Sequence, residues 1–258
     1  SFIDRTQTDS VLKLLQDPVR YSVIQEASYQ PWLFSLALAY SANKNVLAGS
    51  DYRLVYNDDI SSRIKYDVIS DQGAIIQAEL DSRTRRLETL LPGNSNPEAR
   101  RFAKDLYAQS QDAKDYINRI LRKFREEEYI YTLKPPVLGE HTVDEFLFTT
   151  RRGFCAHYAS SFVVLMRAVD IPARVVAGYQ GGEINPITGT VLVHQFDAHG
   201  WAEVWFEGEG WVRVDPTAAV APDRIEYGLE QAMQQEGSFL SAAPLSPLRY
   251  RDLAWLNA

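Results

Sequence analysis

The sequence predicts an α+β protein in which a helix carrying a cysteine packs on an antiparallel sheet, preceded by a small β-rich domain. Three patterns carry that expectation. From Cys155 onward, Tyr158, Phe162, Leu165, Met166 and Val169 recur three and four apart, the spacing of one helix face. Between His199 and Asp215, two runs rich in Trp and Val flank Glu207-Gly208-Glu209-Gly210, the form of a hairpin. Before residue 90, Arg63-Ile64-Lys65-Tyr66-Asp67-Val68 alternates strictly between charged and apolar residues, as a half-buried strand does.

The 258 residues allow one large domain or two small ones, and 45% apolar with 24% charged residues is an ordinary globular balance. A net charge of −7 argues against nucleic acid as a partner. The single cysteine excludes an intrachain disulfide. No apolar run reaches the roughly 18 residues that a membrane span requires.

Taken in order, residues 1–92 read as a β-rich N-terminal domain. Tyr21 to Gln25, Tyr52 to Tyr56 and Arg63 to Val68 are its strand candidates, with turns at Ala48-Gly49-Ser50 and Asn57-Asp58-Asp59. Leu91-Pro92-Gly93-Asn94-Ser95-Asn96-Pro97 reads as a linker, and residues 97–222 follow as a second domain. There Asn96 is placed to cap a helix with Pro97 at its first position. Ala99, Phe102, Ala103 and Leu106 give that helix its apolar stripe. A second helix starts at Asp112, with Tyr116, Ile117, Ile120, Leu121 and Phe124 inward. Thr142-Val143-Asp144-Glu145 has the form of a capping box for a short helix before the cysteine. The cysteine helix ends shortly after Asp170, ahead of Pro172. Strands follow at Arg174 to Tyr179 and Val191 to Val193, and then comes the hairpin. Residues 223–258 read as a helix from about Glu226 to Gln235 and a tail. The mixed basic and aromatic residues of Leu248 to Leu256 suggest a helix end near a membrane surface.

Cys155 stands at a helix start, where unpaired N–H groups and the helix dipole favour a thiolate, the nucleophilic form. Acyl transfer by a thiolate needs a base and a group to orient that base. Four histidines are available. His157 lies two residues on from Cys155 along the same helix and points away from the sulfur, which makes it structural. His141 falls in a loop and reads as solvated. His199, rather than His194, opens the Trp-containing strand and is the candidate base. Strand parity then tests Asp215. An odd-numbered hairpin loop pairs Phe206 with Gly210, Trp205 with Trp211 and Glu203 with Arg213, and sets Asp215 diagonal to His199 on the same face. An even loop sends the two to opposite faces and leaves Asp197 as the next carboxylate. Trp201, on the His199 face, is placed to wall the site.

The motif Gly153-x-Cys155, His199-x-Trp201-x-Glu203-Val204 and Gly210-Trp211-x-x-x-Asp215-Pro216-Thr217 resembles the transglutaminase-like superfamily. The match runs from about residue 129 to 222, taking in Tyr158-Ala159-Ser160, Ile171-Pro172-Ala173-Arg174 and Gly178-Tyr179. Gln30-Pro31-Trp32-Leu33-Phe34 and Tyr131-x-Leu133-x-Pro135-Pro136 resemble one bacterial branch, the TgpA-like inner-membrane proteins, whose transglutaminase domain is periplasmic.

The resemblance implies a papain-like core in residues 97–222, with Cys155 as nucleophile, His199 as base and Asp215 as orienter. It implies a protein-glutamine gamma-glutamyltransferase; no cofactor is expected, and no Cys or His pair has the usual spacing of a metal site. Its partners would be protein or peptide substrates, a glutamine donor and an amine acceptor, and the full-length protein would be membrane-anchored. Cys155 N–H is the first oxyanion donor, with Tyr129 and Tyr131 as candidates for the second. A cysteine peptidase, a glutamine deamidase using the same three residues, and a non-catalytic peptide-binding module are the alternatives.

Overall fold

The computed structural model describes residues 16–49 and 52–222, and the expected C-terminal helix and tail lie outside them. The chain divides into two compact units between Gln77 and Ala78.

The first unit is built from strands, as its alternating pattern requires. β1 (Pro18–Gln25) pairs antiparallel with β6 (Ile64–Asp71), which also pairs with β3 (Ala39–Tyr40). β2 (Trp32–Leu33) and β4 (Val46–Ala48) flank β5 (Leu54–Tyr56). The core gathers Leu33, Val46, Leu54, Ile60, Tyr66 and Val68. Tyr66 and Val68 are the inward positions of the alternation, and the Tyr66 hydroxyl is satisfied by Gln25 and the Phe34 carbonyl.

Extended structure was expected to about residue 90, but Ser82–Thr89 is a helix, α1. The stretch lacks period-two alternation, and the Asp81 carboxylate caps it by accepting the Arg83 and Thr84 N–H groups, each at 3.0 Å. Residues 91–97 are likewise not a connection between units. The Arg100 guanidinium donates to the carbonyls of Ser95 (2.7 Å), Pro92 (2.8 Å) and Gly93 (3.0 Å), which pins the segment inside the second unit.

α2 (Pro97–Ala108) and α3 (Ala113–Glu126) follow, α3 with Tyr116, Ile117, Ile120 and Phe124 buried. The caps differ from their expected form. Asn96 adopts the left-handed conformation (φ 52°) and makes no side-chain cap to its own helix. Its Oδ1 instead accepts from Val143 N at 3.0 Å, at the start of α4 (Thr142–Asp144). In return the Asp144 carboxylate accepts the Glu98 and Ala99 N–H groups of α2 at 3.0 and 2.7 Å. Each helix start is capped from the other, so neither Asn96 nor Thr142 caps in place. A π-helical turn (Glu145–Thr150) continues α4.

β8 (Arg152–Gly153) pairs parallel with β7 (Ile130–Tyr131) and delivers the chain into α5 (Cys155–Arg167). α5 lies on a three-stranded antiparallel sheet in the order β13 (Gly210–Val214), β12 (Ala198–Phe206), β9 (Ala173–Tyr179). Tyr158, Phe162, Leu165 and Met166 of the helix share one core with Ala173, Ala202 and Val204 of the sheet. A small hairpin of β10 (Glu183–Ile184) and β11 (Val191–Leu192) precedes β12. Among the described residues no helix is long and apolar enough to cross a membrane.

Candidate active site

Gly153 sets the entrance to the site. A Cβ there would stand 2.7 Å from His157 Cβ and 3.0 Å from Phe146 Cε2, so only glycine lets β8 run this close under the first turn of α5. Cys155 is the first residue of that turn, after the N-cap Phe154. His157 is structural, as expected. Its Nδ1 accepts the Phe154 N–H at 3.3 Å, and its ring packs against Phe154 and Phe146. Burial holds the His157 pKa below its ordinary value, which suits an acceptor nitrogen.

The hairpin loop is Glu207-Gly208-Glu209, three residues, with Phe206 opposite Gly210, Trp205 opposite Trp211 and Glu203 opposite Arg213. Gly208 and Gly210 carry the positive φ values (77° and 71°) that such a turn needs. The odd register therefore holds. His199 Nε2 and Asp215 Oδ2 lie 2.7 Å apart, with the imidazole side chain wholly buried. Asp215 Oδ1 accepts the Thr217 N–H at 3.1 Å, so the carboxylate also caps the short 3-10 turn Pro216–Ala219.

The Cys155 sulfur acts on the same imidazole. Burial alone would lower the His199 pKa, but hydrogen bonding and charge attraction from Asp215 and Cys155 outweigh it and hold the pKa above its ordinary value. With Nε2 committed to Asp215, the buried Nδ1, which has no hydrogen-bond partner of ordinary geometry, is the nitrogen left to exchange a proton with the thiol. The three residues picked from the sequence thus meet around one imidazole.

Trp201 stacks on His199, with ring centroids 6.2 Å apart and planes 25° from parallel. It lies across β9 because Gly178, opposite His199, has no side chain: a Cβ there would come 2.9 Å from the indole. Gly200, by contrast, would bring a Cβ no nearer than 3.7 Å to its closest neighbour, so alanine fits there. Trp205 and Trp211 are buried, beneath Arg85 and Arg174 respectively.

Other expectations are corrected. Glu203 faces Arg213 in register, yet its carboxylate pairs with Arg174 on the neighbouring strand at 2.7 Å. Arg213 turns instead to Gln180 Oε1 (2.8 Å) and Asp215 Oδ2 (3.3 Å). Tyr129 cannot serve the oxyanion, because its buried hydroxyl donates to the Leu147 carbonyl at 2.9 Å. His141 is not a solvated loop residue, since its Nδ1 accepts the Asn96 N–H at 3.2 Å. His194 stacks on Phe196 with Nδ1 3.6 Å from Asp197, so the runner-up histidine and carboxylate belong to each other. Gln180 and Arg213 were missed as site residues, although Arg213 lies two residues before Asp215 on the same strand face.

A family model described as the transglutaminase-like superfamily matches residues 100–216. The protein-glutamine gamma-glutamyltransferase of Pseudomonas aeruginosa is 48% identical over 239 residues, 93% of this chain and 36% of that protein. The chain thus spans about a third of that relative's length. YebA of Bacillus subtilis, an uncharacterized protein, is 43% identical over 86 residues, 32% of this chain and 12% of its own. The crystal structure of the periplasmic domain of TgpA from Pseudomonas aeruginosa matches with a TM-score of 0.81 at 46% identity, over 84% of this chain and 76% of that one.

Proposed function

The chain belongs to the transglutaminase-like superfamily, and from that premise we propose that it catalyses cysteine-dependent acyl transfer on protein glutamine. The observation that carries the proposal is a buried imidazole held between Asp215 and Cys155, with the cysteine at the positive end of a 13-residue helix. Each charge in a thiolate–imidazolium pair there has a stabilising neighbour.

Cys155 Sγ attacks the carbon of a glutamine side-chain carboxamide, and the carbonyl electrons move onto oxygen. The Cys155 N–H, at the first position of the helix, is the donor for the developing oxyanion in this reading. His199 gives its proton to the departing nitrogen, the C–N bond breaks, ammonia leaves and a thioester remains. An amine such as lysine then attacks the thioester and loses its proton to His199. The C–S bond breaks and the thiolate returns. Asp215 holds the imidazole by one nitrogen through both halves, which leaves the other for proton transfer.

The 48% identity to a protein-glutamine gamma-glutamyltransferase supports amine rather than water as acceptor. Mass spectrometry of a glutamine-donor protein incubated with a primary-amine probe, comparing wild type with Cys155→Ala, tests the assignment. Amine incorporation lost in the variant is the expected result. A one-dalton deamidation shift or backbone cleavage in place of incorporation overturns it in favour of a deamidase or a peptidase.

We also assign the chain to the periplasmic side of a bacterial inner-membrane protein, supported by the TgpA match. A full-length gene without hydrophobic spans on either side removes that assignment.

A further inference from the structure

We propose that Arg213, clamped by Gln180, is a positioning residue that fixes Asp215 on His199; this rests on the acyl-transfer reading of the same site. Asp215 Oδ2 receives two groups, His199 Nε2 at 2.7 Å and Arg213 Nη2 at 3.3 Å. Thr217 N–H takes the other oxygen at 3.1 Å. The Arg213 guanidinium is itself held from two directions. It lies over the Trp201 ring with Cζ 4.5 Å from the centroid, and it donates to Gln180 Oε1 at 2.8 Å. Gln180 is 4% exposed, and its own N–H donates to the Asp197 carbonyl at 3.0 Å, across the base of the β10–β11 hairpin. That backbone bond and the burial hold the residue whose side-chain Oε1 accepts from Arg213.

The arrangement closes a ring of contacts around the imidazole. Trp201 stacks on His199, Arg213 lies over Trp201, and Arg213 returns to the carboxylate that His199 bonds. Without Arg213, the carboxylate keeps His199 on Oδ2 and the Thr217 N–H on Oδ1 but loses the cation that braces Oδ2, and is freer to turn about its Cβ–Cγ bond. A buried imidazolium whose partner swings away loses its proton more easily, because burial then dominates. The proton that must reach the leaving ammonia is held less firmly.

Three variants test this. Arg213→Met removes the guanidinium, and Gln180→Met removes the carboxamide that holds it while leaving the guanidinium in place. Arg213→Lys restores a charged donor. Two readouts are taken: steady-state amine incorporation, and the pH profile of Cys155 alkylation by iodoacetamide, which reports the ion pair whatever the enzyme's acceptor. Both methionine variants are expected to lower kcat about tenfold with KM changed less than about twofold, a fraction of the roughly 10²–10⁴-fold that a positioned general acid–base supplies. Both should move the alkaline limb of the alkylation profile to lower pH, and Arg213→Lys should recover part of each effect. Unchanged kcat and profile in Gln180→Met, or an alkaline limb that moves upward in Arg213→Met, overturns the proposal. Failure of wild type to incorporate amine, with the alkylation shifts intact, sinks the acyl-transfer reading and leaves the positioning role standing.

Discussion

Replacing Gly153 by alanine adds one methyl group, and the structure says where it goes. The new Cβ lands 2.7 Å from both Cβ and Cγ of His157 and 3.0 Å from Phe146 Cε2. The backbone at Gly153 has no positive φ, so space alone is at issue. His157 Cβ cannot retreat by a rotamer change, since it is fixed to the first turn of α5. The strand cannot retreat either, because Thr132 N–H donates to Gly153 O and Ile130 N–H to Arg151 O, both at 2.8 Å. Relief must come from lifting the helix start, which carries Cys155. Overpacking of this kind costs about 1–3 kcal/mol, and a displacement of about 1 Å at a reacting group costs roughly 100-fold in rate. Gly153→Ala is therefore expected to lose about 1–3 kcal/mol in urea unfolding, and more activity than that destabilisation explains. Unfolding and Cys155 alkylation measured on one preparation separate the two effects. Wild-type stability together with wild-type alkylation refutes the packing argument.

Cys155→Ala is expected to abolish amine incorporation while leaving the unfolding midpoint nearly unchanged, because a small side chain at a helix start is easily replaced; retained turnover removes the nucleophile assignment. Asp215→Asn should lower kcat on the order of 10⁴-fold, as neutralising a triad carboxylate does, and a loss under tenfold by steady-state kinetics counts against its role. The His199 pKa is raised in the fold, so its stabilisation is complete below the unfolded value and is lost as pH rises through the folded one. Thermal melts across that window should show the decline in wild type and a weaker one in Asp215→Asn, and equal slopes contradict the cause assigned here. Asp144→Ala leaves the Glu98 and Ala99 N–H groups of α2 without their acceptor and should cost about 1–2 kcal/mol, the scale of a helix cap. A loss below about 0.5 kcal/mol means that water replaces it.

Much of the second unit was legible because its phase is set locally. The α3 and α5 stripes, the β9 strand and the three-residue loop each follow from residues within about one turn or one hairpin. The parity of that loop alone decides whether His199 and Asp215 share a face, and parity is countable in a sequence. The misread caps have their physical origin in partners distant along the chain. Asn96 and Asp144 exchange caps across more than forty residues, and no local capping pattern contains that information. Arg100 pins residues 92–95, so Pro, Gly and Asn there mark a tethered corner rather than a boundary. At Ser82–Thr89 the expectation of strands was carried over from the preceding residues, although Asp81 and the absent alternation already signalled a helix.

Arg213 shows the same limit inside the site, and with a consequence for chemistry. The register places Glu203 beside two arginines, Arg174 on one strand and Arg213 on the other, and one carboxylate satisfies only one of them well. Arg174 wins, stacked on Trp211 and bonded at 2.7 Å. The surplus cation is passed to Asp215, which already holds His199. Arg174 and Arg213 balance the two carboxylates of Glu203 and Asp215, so the face is neutral whether the shared proton sits on the Cys155 sulfur or on His199. What favours the thiolate is then local: the helix start at the sulfur, and Asp215 beside the imidazolium that the proton would create.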